Sequence, residues 1–426
     1  MKKEAVVIDA CRSPLGRAGD RGIFRTIDAN DLMVQVLQAL IKRNNLDTKL
    51  VDDVVLGGTS GIRDMLLVAG FPESVAASEI QRACASASTA IAICARRIMN
   101  DSADIMIGTG LLTQNRNTPV TPDQIGVRGS RAMRAVAAGE DPVAAGRRMM
   151  AGAEAQKEDY PEGWKLAKLA PRQRPDIPPW VGDMGRTAEE LSQRFDISRE
   201  DSDRFALSSH QKAVAAQDAG YFKDEIVPIT VTYDDGTTEV FDTDQCPRRD
   251  TSYEKIASLP PAYVENGRVT AGNSCPQNDG AGAVLMMSKE KAKELGYKPM
   301  MTFRHAVAIG VDPTVMGIGP YPSTAKLLKR TGMTIKDFDL IEINEAFSCQ
   351  VLYSGRMLGF DDEDWAKLNV KGGAVAIGHP LGMTGSRQAA VLAHEMVRRD
   401  LRWGLATLCV GGGQGFATAF EREKYD

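Results

Sequence analysis

The sequence predicts an α/β protein made of two halves of like fold. Short β-branched runs closed by turn residues alternate with segments of helical spacing, which is typical of strands followed by helices. This order of elements occurs near the start of the chain and again after residue 337, and glycines follow strands in both parts. Such a repeat predicts two sheets with their helices, packed together.

The composition is that of a soluble globular protein of more than one folding unit. The chain has 426 residues, of which 43 % are hydrophobic and 25 % are charged. The net charge of -4 argues against nucleic acid as a partner. No run approaches the ~18 apolar residues of a transmembrane segment, and the N-terminus lacks a secretory signal. We therefore expect a cytoplasmic protein.

The first half contains strands and helices in alternation. "EAVVIDA" (4–10), "VDDVVLGG" (51–58) and "ADIMIGTG" (103–110) have the apolar character of buried strands. "DANDLMVQVLQALIKRN" and residues 84–99 have apolar side chains at helical spacing.

The second half repeats the pattern. Residues 337–347 are predicted to be a strand that leads into a helix, 372–399 a strand, a glycine-rich turn and a helix, and 405–415 a strand that ends in glycines. Ligands of open α/β sheets bind at the carboxyl ends of the strands, so the residues after these strands are the candidates for a site.

The region between the halves differs in composition. Residues 113–183 are rich in Arg, Pro and Met, which predicts an inserted loop region with short helices, either solvated or covering the substrate. Contact with a membrane or a partner is the alternative for this cationic stretch. Residues 187–217 are predicted to form two helices, the second capped by Ser198.

The seven cysteines are odd in number and have no C-x-x-C spacing, which indicates reduced thiols rather than disulfides or a zinc site. Cys84 lies in "RACASAST", a run of small side chains. The run is either filler in a buried helix or clearance for a group that must reach the sulfur. At a helix N-terminus, free N–H groups would favour a thiolate.

Three further residues follow predicted strands. His379 lies between a glycine and a proline in "AIGHPLGMTG", unlike the other three histidines, which are expected to be structural. Cys409 precedes "VGGGQG", whose glycines do not match a dinucleotide or Walker loop but expose N–H groups suited to an oxyanion hole. Asn344 follows a strand and could hold a water. Two thiols and a histidine suit carbon–carbon chemistry on thioesters.

Seven stretches carry a family resemblance, and they are "VVIDACRSPLGRAG", "CAS" at Cys84, "MGRTAEELSQRFDISRED", "GRVTAGNSCPQNDGAGAVLM", "INEAF", "NVKGGAVAIGHPLGMTGSR" and "GLATLCVGGGQGFATAFE". In this order, over nearly the whole chain, they resemble the thiolase family. The resemblance implies duplicated βαβαβαββ halves in a five-layered α/β/α/β/α core with an inserted loop domain. The implied boundaries are 1–112 with 275–292 for the N-terminal half, 113–274 for the inserted domain and 293–426 for the C-terminal half.

The resemblance also implies roles for individual residues. Cys84 would be the acylated nucleophile, and His379 its base, which with a water on Asn344 forms one oxyanion hole. Cys409 would be the acid/base for the acetyl-CoA enolate, and the backbone of Cys84 and Gly411 the other oxyanion hole. CoA, the substrate, would contact Arg248 near its adenine end and Ala271 and Cys275 along its pantetheine. Met184 and Phe347 would line the acyl end. No tightly bound cofactor and no metal are implied.

The sequence departs from the family pattern in three places. C-x-S-G becomes Cys84-Ala85-Ser86-Ala87, whose extra methyl is expected to narrow the space beside the nucleophile. "GTGLLTQ" lacks the usual polar residues after the third strand, and Cys275 replaces a CoA-contacting serine. The long 113–183 region is similar to that of the β subunits of fatty-acid oxidation complexes. We expect the chemistry to be intact, with the acyl substrate affected.

The resemblance implies a 3-ketoacyl-CoA thiolase working in β-oxidation, through an acyl-cysteine intermediate. The alternatives are an acetyl-CoA acetyltransferase that makes acetoacetyl-CoA, and a non-catalytic acyl-CoA-binding or scaffold subunit, which would be expected to lose one of the three catalytic residues. The expected partners are acyl-CoA and CoA, a second copy in a homodimer or homotetramer, and a β-oxidation multienzyme partner.

Overall fold

The structure is a computed structural model that describes residues 3–58, 61–113, 182–233 and 235–423. Numbered along these residues, the strands are β1 Ala5–Arg12, β2 Gly16–Arg17, β3 Asp53–Gly57, β4 Ala76–Ile80, β5 Ile105–Leu112, β6 Ile229–Thr232, β7 Thr238–Phe241, β8 Asn278–Ser288, β9 Met301–Gly310, β10 Leu340–Ile343, β11 Trp403–Val410 and β12 Gln414–Glu421. The helices are α1 Ala29–Asn44, α2 Ile62–Ala69, α3 Ser86–Met99, α4 Met184–Arg194, α5 Arg199–Asp218, α6 Tyr253–Ala257, α7 Lys289–Glu294, α8 Pro320–Thr331, α9 Ser348–Leu358, α10 Asp362–Lys367, α11 Ala374–Ile377 and α12 Thr384–Arg398.

The strands repeat one topology in two halves. The first half runs β4-β3-β5-β8-β1, with β3 parallel to β4 and β5, and β8 antiparallel to β5 and β1. The second half runs β10-β11-β12-β9 with the same directions, and a parallel bridge from Ile341 to Leu368 stands where the first half has β4. The predicted duplication is therefore confirmed.

The helices form layers on both faces of the two halves. α1 and α2 pack on the outer face of the first half, where Leu37 and Leu66 join Ile107 in one core. α3 and α12 lie between the halves, in a second core that contains Ile91 and Leu392.

The fifth layer covers the other outer face. Leu327 of α8 and Val351 of α9 pack with Leu405 of the second half in a third core. The order of layers is thus α/β/α/β/α, as expected. The halves are joined at β1 and β9 by two residue pairs, Val6 with Thr302 and Val7 with Met301.

One sequence prediction for the second half needs correction. The apolar run before His379, predicted as a strand, is the short helix α11. A fully buried run of four apolar residues has no periodicity that separates a strand from a helix, so only its packing decides. The strand that ends in glycines, predicted in 405–415, is confirmed as β11, and residues 411–413 form the turn to the antiparallel strand β12.

The region after the first half is described in part. The predicted helices in 187–217 are confirmed as α4 and α5, and the Ser198 side chain accepts a hydrogen bond from the Asp201 N–H. The predictions for 114–181 lie outside the described residues, and the boundaries of the inserted domain stay a prediction. No helix of the described residues is long and apolar enough to cross a membrane.

Candidate active site

Cys84 lies in a 3-10 turn, Ala83–Ala85, immediately before α3. Ala83 has a left-handed φ of 41°, which turns the chain sharply ahead of the thiol. The N–H groups of Gly411 and of Cys84 itself face the sulfur. Burial nevertheless raises the pKa of Cys84, because desolvation of the thiolate outweighs these donors. The N–H donors favour the thiolate, but in the resting site they are outweighed by burial of the thiol.

The small residues near Cys84 allow α3 to lie close to the sheet. A Cβ on Gly57 would be 2.3 Å from the Ala87 nitrogen, and one on Gly110 would be 2.7 Å from the Ala87 methyl. The methyl of Ala87 thus faces the end of β5 and serves helix–sheet packing. The methyl therefore points toward Gly110 and not into the space beside the nucleophile, where narrowing was expected.

His379 follows α11 and is held at both ring nitrogens. Its Nδ1 lies 2.6 Å from the Thr384 hydroxyl, which itself donates to the Pro380 carbonyl at 2.9 Å. Because that hydroxyl hydrogen is in use, the hydroxyl accepts from Nδ1–H, and Nε2 carries the lone pair that can act as a base. Burial and the charge of Arg387 lower the pKa of His379 to about 3, so the ring is neutral at physiological pH.

Asn344 directly follows β10 and meets His379. Its backbone N–H donates to the Thr407 carbonyl at 3.0 Å, and its Nδ2 lies 3.3 Å from Nε2 of His379. The Asn344 Oδ1 is buried and has no hydrogen-bond partner among the described residues. The amide can therefore both contact the base and accept a hydrogen bond from a water or a ligand.

Cys409 is fully buried near the end of β11. Its thiol donates to Oε1 of Gln350 at 3.2 Å. Burial raises the pKa of Cys409 well above its ordinary value, and the neighbouring thiols of Cys84 and Cys275 raise it further. Cys409 is therefore a protonated thiol beside Cys84, which suits an acid that gives its proton to a substrate carbon.

Cys275 lies near Cys84 and Cys409, and its segment is held by strand-like pairing. Its N–H donates to the Ala346 carbonyl at 3.0 Å, and Ser274 pairs with Phe347. Burial and the proximity of Cys84 raise the pKa of Cys275 to about 12.

Met184, the first residue of α4, and Phe347, which directly precedes α9, are the residues predicted for the acyl end. The Met184 sulfur is 3.8 Å from where a Cβ on Gly411 would stand. The Phe347 ring contacts the Tyr263 ring edge-on, with centroids 6.0 Å apart. Phe347 belongs to an apolar cluster that also contains Cys409, and Met184 packs against this cluster.

Arg248 and Ala271 line a cavity of about 920 Å³. Five cationic side chains share its wall: Arg17, Arg21, Arg248, Arg249 and Lys255. His210 supports this wall, because its Nδ1 accepts the Arg248 N–H at 3.2 Å. The cavity is thus suited to an anionic ligand such as a phosphate ester.

The structure joins the predicted residues and adds others. The His379 ring contacts Thr384 and Asn344, and no hydrogen bond links it to the Cys84 thiol among the described residues. Thr384, Gln350 and the cations at 17 and 21 were missed. Thr384 stands five residues after His379, a signal that could have been noticed, whereas the others reach the site only through the fold. No metal-binding group of His, Cys, Asp or Glu occurs within the described ranges.

Comparison with known proteins identifies the family. Residues 5–148 and 181–290 match the model of the thiolase N-terminal domain, and residues 297–422 match that of the thiolase C-terminal domain. The chain belongs to the thiolase family and is an acyltransferase.

Individual relatives carry two different names. The chain is 38 % identical over 435 residues to the acetyl-CoA acetyltransferase of Allochromatium vinosum, covering 99 % of this chain and 100 % of the relative. It is 38 % identical over 432 residues to the 3-ketoacyl-CoA thiolase of Serratia proteamaculans, with 99 % and 100 % covered. Human mitochondrial 3-ketoacyl-CoA thiolase in complex with CoA is similar in structure, with a TM-score of 0.78, 31 % identity and coverage of 99 % and 98 %.

Proposed function

We propose that the protein is a 3-ketoacyl-CoA thiolase, which cleaves a 3-ketoacyl-CoA with CoA to an acyl-CoA and acetyl-CoA. The observation that carries this proposal is the pairing of two protonated thiols, Cys84 and Cys409, with the Gly411 N–H facing the first. Thiolysis needs one sulfur that holds the acyl group and a second acid that protonates the leaving carbon.

The first half-reaction forms an acyl-cysteine. Cys84 gives its proton to Nε2 of His379 while its sulfur attacks the 3-keto carbon. The C2–C3 bond breaks, and the electron pair on C2 takes the proton of Cys409, which releases acetyl-CoA. The resting groups are neutral, so proton transfer from Cys84 is coupled to its attack and no free Cys84 thiolate is needed.

The second half-reaction transfers the acyl group to CoA. The Cys409 thiolate takes the proton of the CoA thiol, and the CoA sulfur attacks the acyl carbon. The Cys84 sulfur leaves and recovers its proton from His379, which restores both thiols and the neutral ring. The order is ping-pong, because acetyl-CoA departs before CoA enters.

Oxyanions arise in both halves of the cycle. The N–H groups of Cys84 and Gly411 would serve one oxyanion, since both already face the sulfur. His379 and Asn344 would stabilise the other oxyanion. Asn344 would act through a water that donates a hydrogen bond to its amide oxygen. The cationic cavity would take the phosphates of CoA, with Arg248 at the adenine end and Ala271 and Cys275 along the pantetheine.

Acetyl-CoA acetyltransferase activity, the condensation of two acetyl-CoA, is the second candidate. It uses the same groups in reverse and is supported by the name of the Allochromatium relative. A non-catalytic acyl-CoA-binding or scaffold subunit is disfavoured, because Cys84, His379 and Cys409 are all present. A homodimer or homotetramer and a β-oxidation partner enzyme belong to the same proposal, and light scattering of the purified chain would test the assembly.

The test is thiolysis of a panel of 3-ketoacyl-CoAs that are short, long, branched or aromatic. Loss of the 3-ketoacyl-CoA enolate absorbance gives kcat/KM for each substrate, and the reverse condensation of acetyl-CoA is measured beside it. We expect cleavage of 3-ketoacyl-CoAs longer than acetoacetyl-CoA. Activity confined to acetoacetyl-CoA would favour the acetyltransferase, and no turnover in either direction would favour the non-catalytic subunit.

A further inference from the structure

Asn278, the first residue of β8, is a fully buried amide that joins three segments. Its Oδ1 accepts the backbone N–H of His379 at 3.2 Å. Its Nδ2 donates to the Gly16 carbonyl at 3.1 Å and to the Cys246 sulfur at 3.2 Å. One side chain therefore ties the loop of the candidate base to the strand β2 and to the wall of the cationic cavity.

The chain before His379 is shaped to receive this amide. Gly378 has a φ of 117°, and a Cβ there would lie 2.3 Å from the Asn278 Cγ. Only a glycine combines that backbone conformation with so close an approach. The Asn278 amide thus packs directly on the peptide that precedes the base.

Three hydrogen bonds then determine the placement of His379. The backbone N–H is held by Asn278, Nδ1 by Thr384, and Nε2 meets Asn344. His379 is buried, so without Asn278 its N–H would lose its partner away from water. The ring nitrogens of His379 would then keep their partners, while its backbone N–H would have none.

We propose that Asn278 is a positioning residue for the reaction, which fixes the backbone of His379 and anchors the His379 loop to the cavity wall. This inference rests on the proposed function. Asn278 touches no reacting atom, and its effect is exerted through the backbone of His379. Small displacements of a base cost rate much more than binding, so kcat should change more than KM.

The principal variant is Asn278→Leu, which has a similar shape and lacks both polar groups. We expect kcat for thiolysis of acetoacetyl-CoA to fall by about tenfold or more, with KM within about threefold. The rate of Cys84 alkylation by iodoacetamide should fall toward that of His379→Ala. Leu40→Ala, in the outer core of α1, is the control for lost stability and should retain both rates in the folded protein.

A second variant, Asn278→Asp, keeps the acceptor that faces the His379 N–H and adds a negative charge. We expect it to retain more kcat than the leucine variant and to move the acid limb of the kcat profile to higher pH, because the carboxylate stabilises the imidazolium. The shift of that limb reports the added charge, whereas the kcat retained relative to the leucine variant reports the acceptor for the His379 N–H.

The outcomes separate this inference from the proposed function. If His379→Ala slows alkylation while both Asn278 variants behave like Leu40→Ala, the positioning role is wrong and the function stands. Failure of both Asn278 variants to fold, with Leu40→Ala folded, would also overturn it in favour of a structural role. If His379→Ala alters neither alkylation nor thiolysis, the proposed function fails and this inference with it.

Discussion

The Thr384 hydroxyl and Nδ1 of His379 lie 2.6 Å apart, and the hydroxyl hydrogen is committed to the Pro380 carbonyl. This pair selects the tautomer that leaves Nε2 as the base. The thiol nucleophile and its base are both neutral at rest, because burial raises the pKa of Cys84 and lowers that of His379 to about 3. Arrival of the substrate is therefore what must start proton transfer.

Thr384→Val should remove the acceptor for Nδ1–H while conserving shape. We expect kcat for thiolysis to fall by roughly 10- to 100-fold, as is typical when the partner that orients a functional histidine is lost. Steady-state kinetics check this, with Thr384→Ser as the matched control that keeps the hydroxyl. Equal losses in the valine and serine variants would assign the effect to packing rather than to the tautomer.

Cys84→Ser should keep the fold and abolish acyl transfer, because a hydroxyl is a much weaker nucleophile than a thiol. Thiolysis assays and trapping of the acyl-enzyme by mass spectrometry measure the effect, and circular dichroism verifies folding. Turnover near that of the wild type would exclude Cys84 as the nucleophile.

Cys409→Ala should remove proton transfer at the α-carbon and leave proton transfer from Cys84 to His379 intact. We expect it to lose exchange of the α-protons of acetyl-CoA with deuterated water, followed by NMR, while Cys84 can still be acylated. The reason is that Cys409, whose pKa burial raises well above its ordinary value, is the proposed acid for the leaving carbon. Undiminished exchange would rule out this role.

His210→Gln should make stability less sensitive to acid. Burial and Arg248 lower the pKa of His210 to about 4 from 6.5, so the unfolded chain binds a proton between these values that the folded chain does not. The protein therefore loses stability as the pH falls through this window, by about 2 kcal/mol at pH 5 for this residue.

Urea unfolding at pH 7 and pH 5 measures the effect. The difference between the free energies of unfolding at the two pH values should be smaller in His210→Gln than in the wild type. His305→Gln is the matched control, because His305 is exposed on β9 and a smaller change is expected. Identical pH dependence in all three proteins would contradict the assignment.

Gly110→Ala should destabilise the fold without altering the choice of acyl chain. Its Cβ would lie 2.6 Å from the Gly382 carbonyl oxygen and 2.7 Å from the Ala87 methyl, so overpacking should cost about 1–3 kcal/mol. Gly310→Ala in β9 is the control, because its Cβ would have no neighbour closer than 4.0 Å. Thermal melting and the substrate panel together show whether the change affects packing alone.

Much of this protein could be predicted from the sequence. The alternation of apolar runs and helical segments determined a duplicated α/β fold, and the residues that follow the strands pointed to Cys84, His379, Asn344 and Cys409. These features are local, since each depends on residue types within a few positions. The tested parts of that prediction, the family and the layered fold, are confirmed, while the roles of the residues stay predictions.

Only the tertiary structure decided the electrostatics and the shape of the site. Burial, which raises the pKa of Cys84 despite the N–H groups of Gly411 and Cys84, depends on what packs around the thiol. The direction of the Ala87 methyl depends on Gly110 of a neighbouring strand, and α11 is helical rather than extended because of its packing. Arg17 and Arg248 line the same cavity, and Asn278 contacts His379. The residues of each pair are far apart in the chain, so no local sequence pattern predicts these contacts.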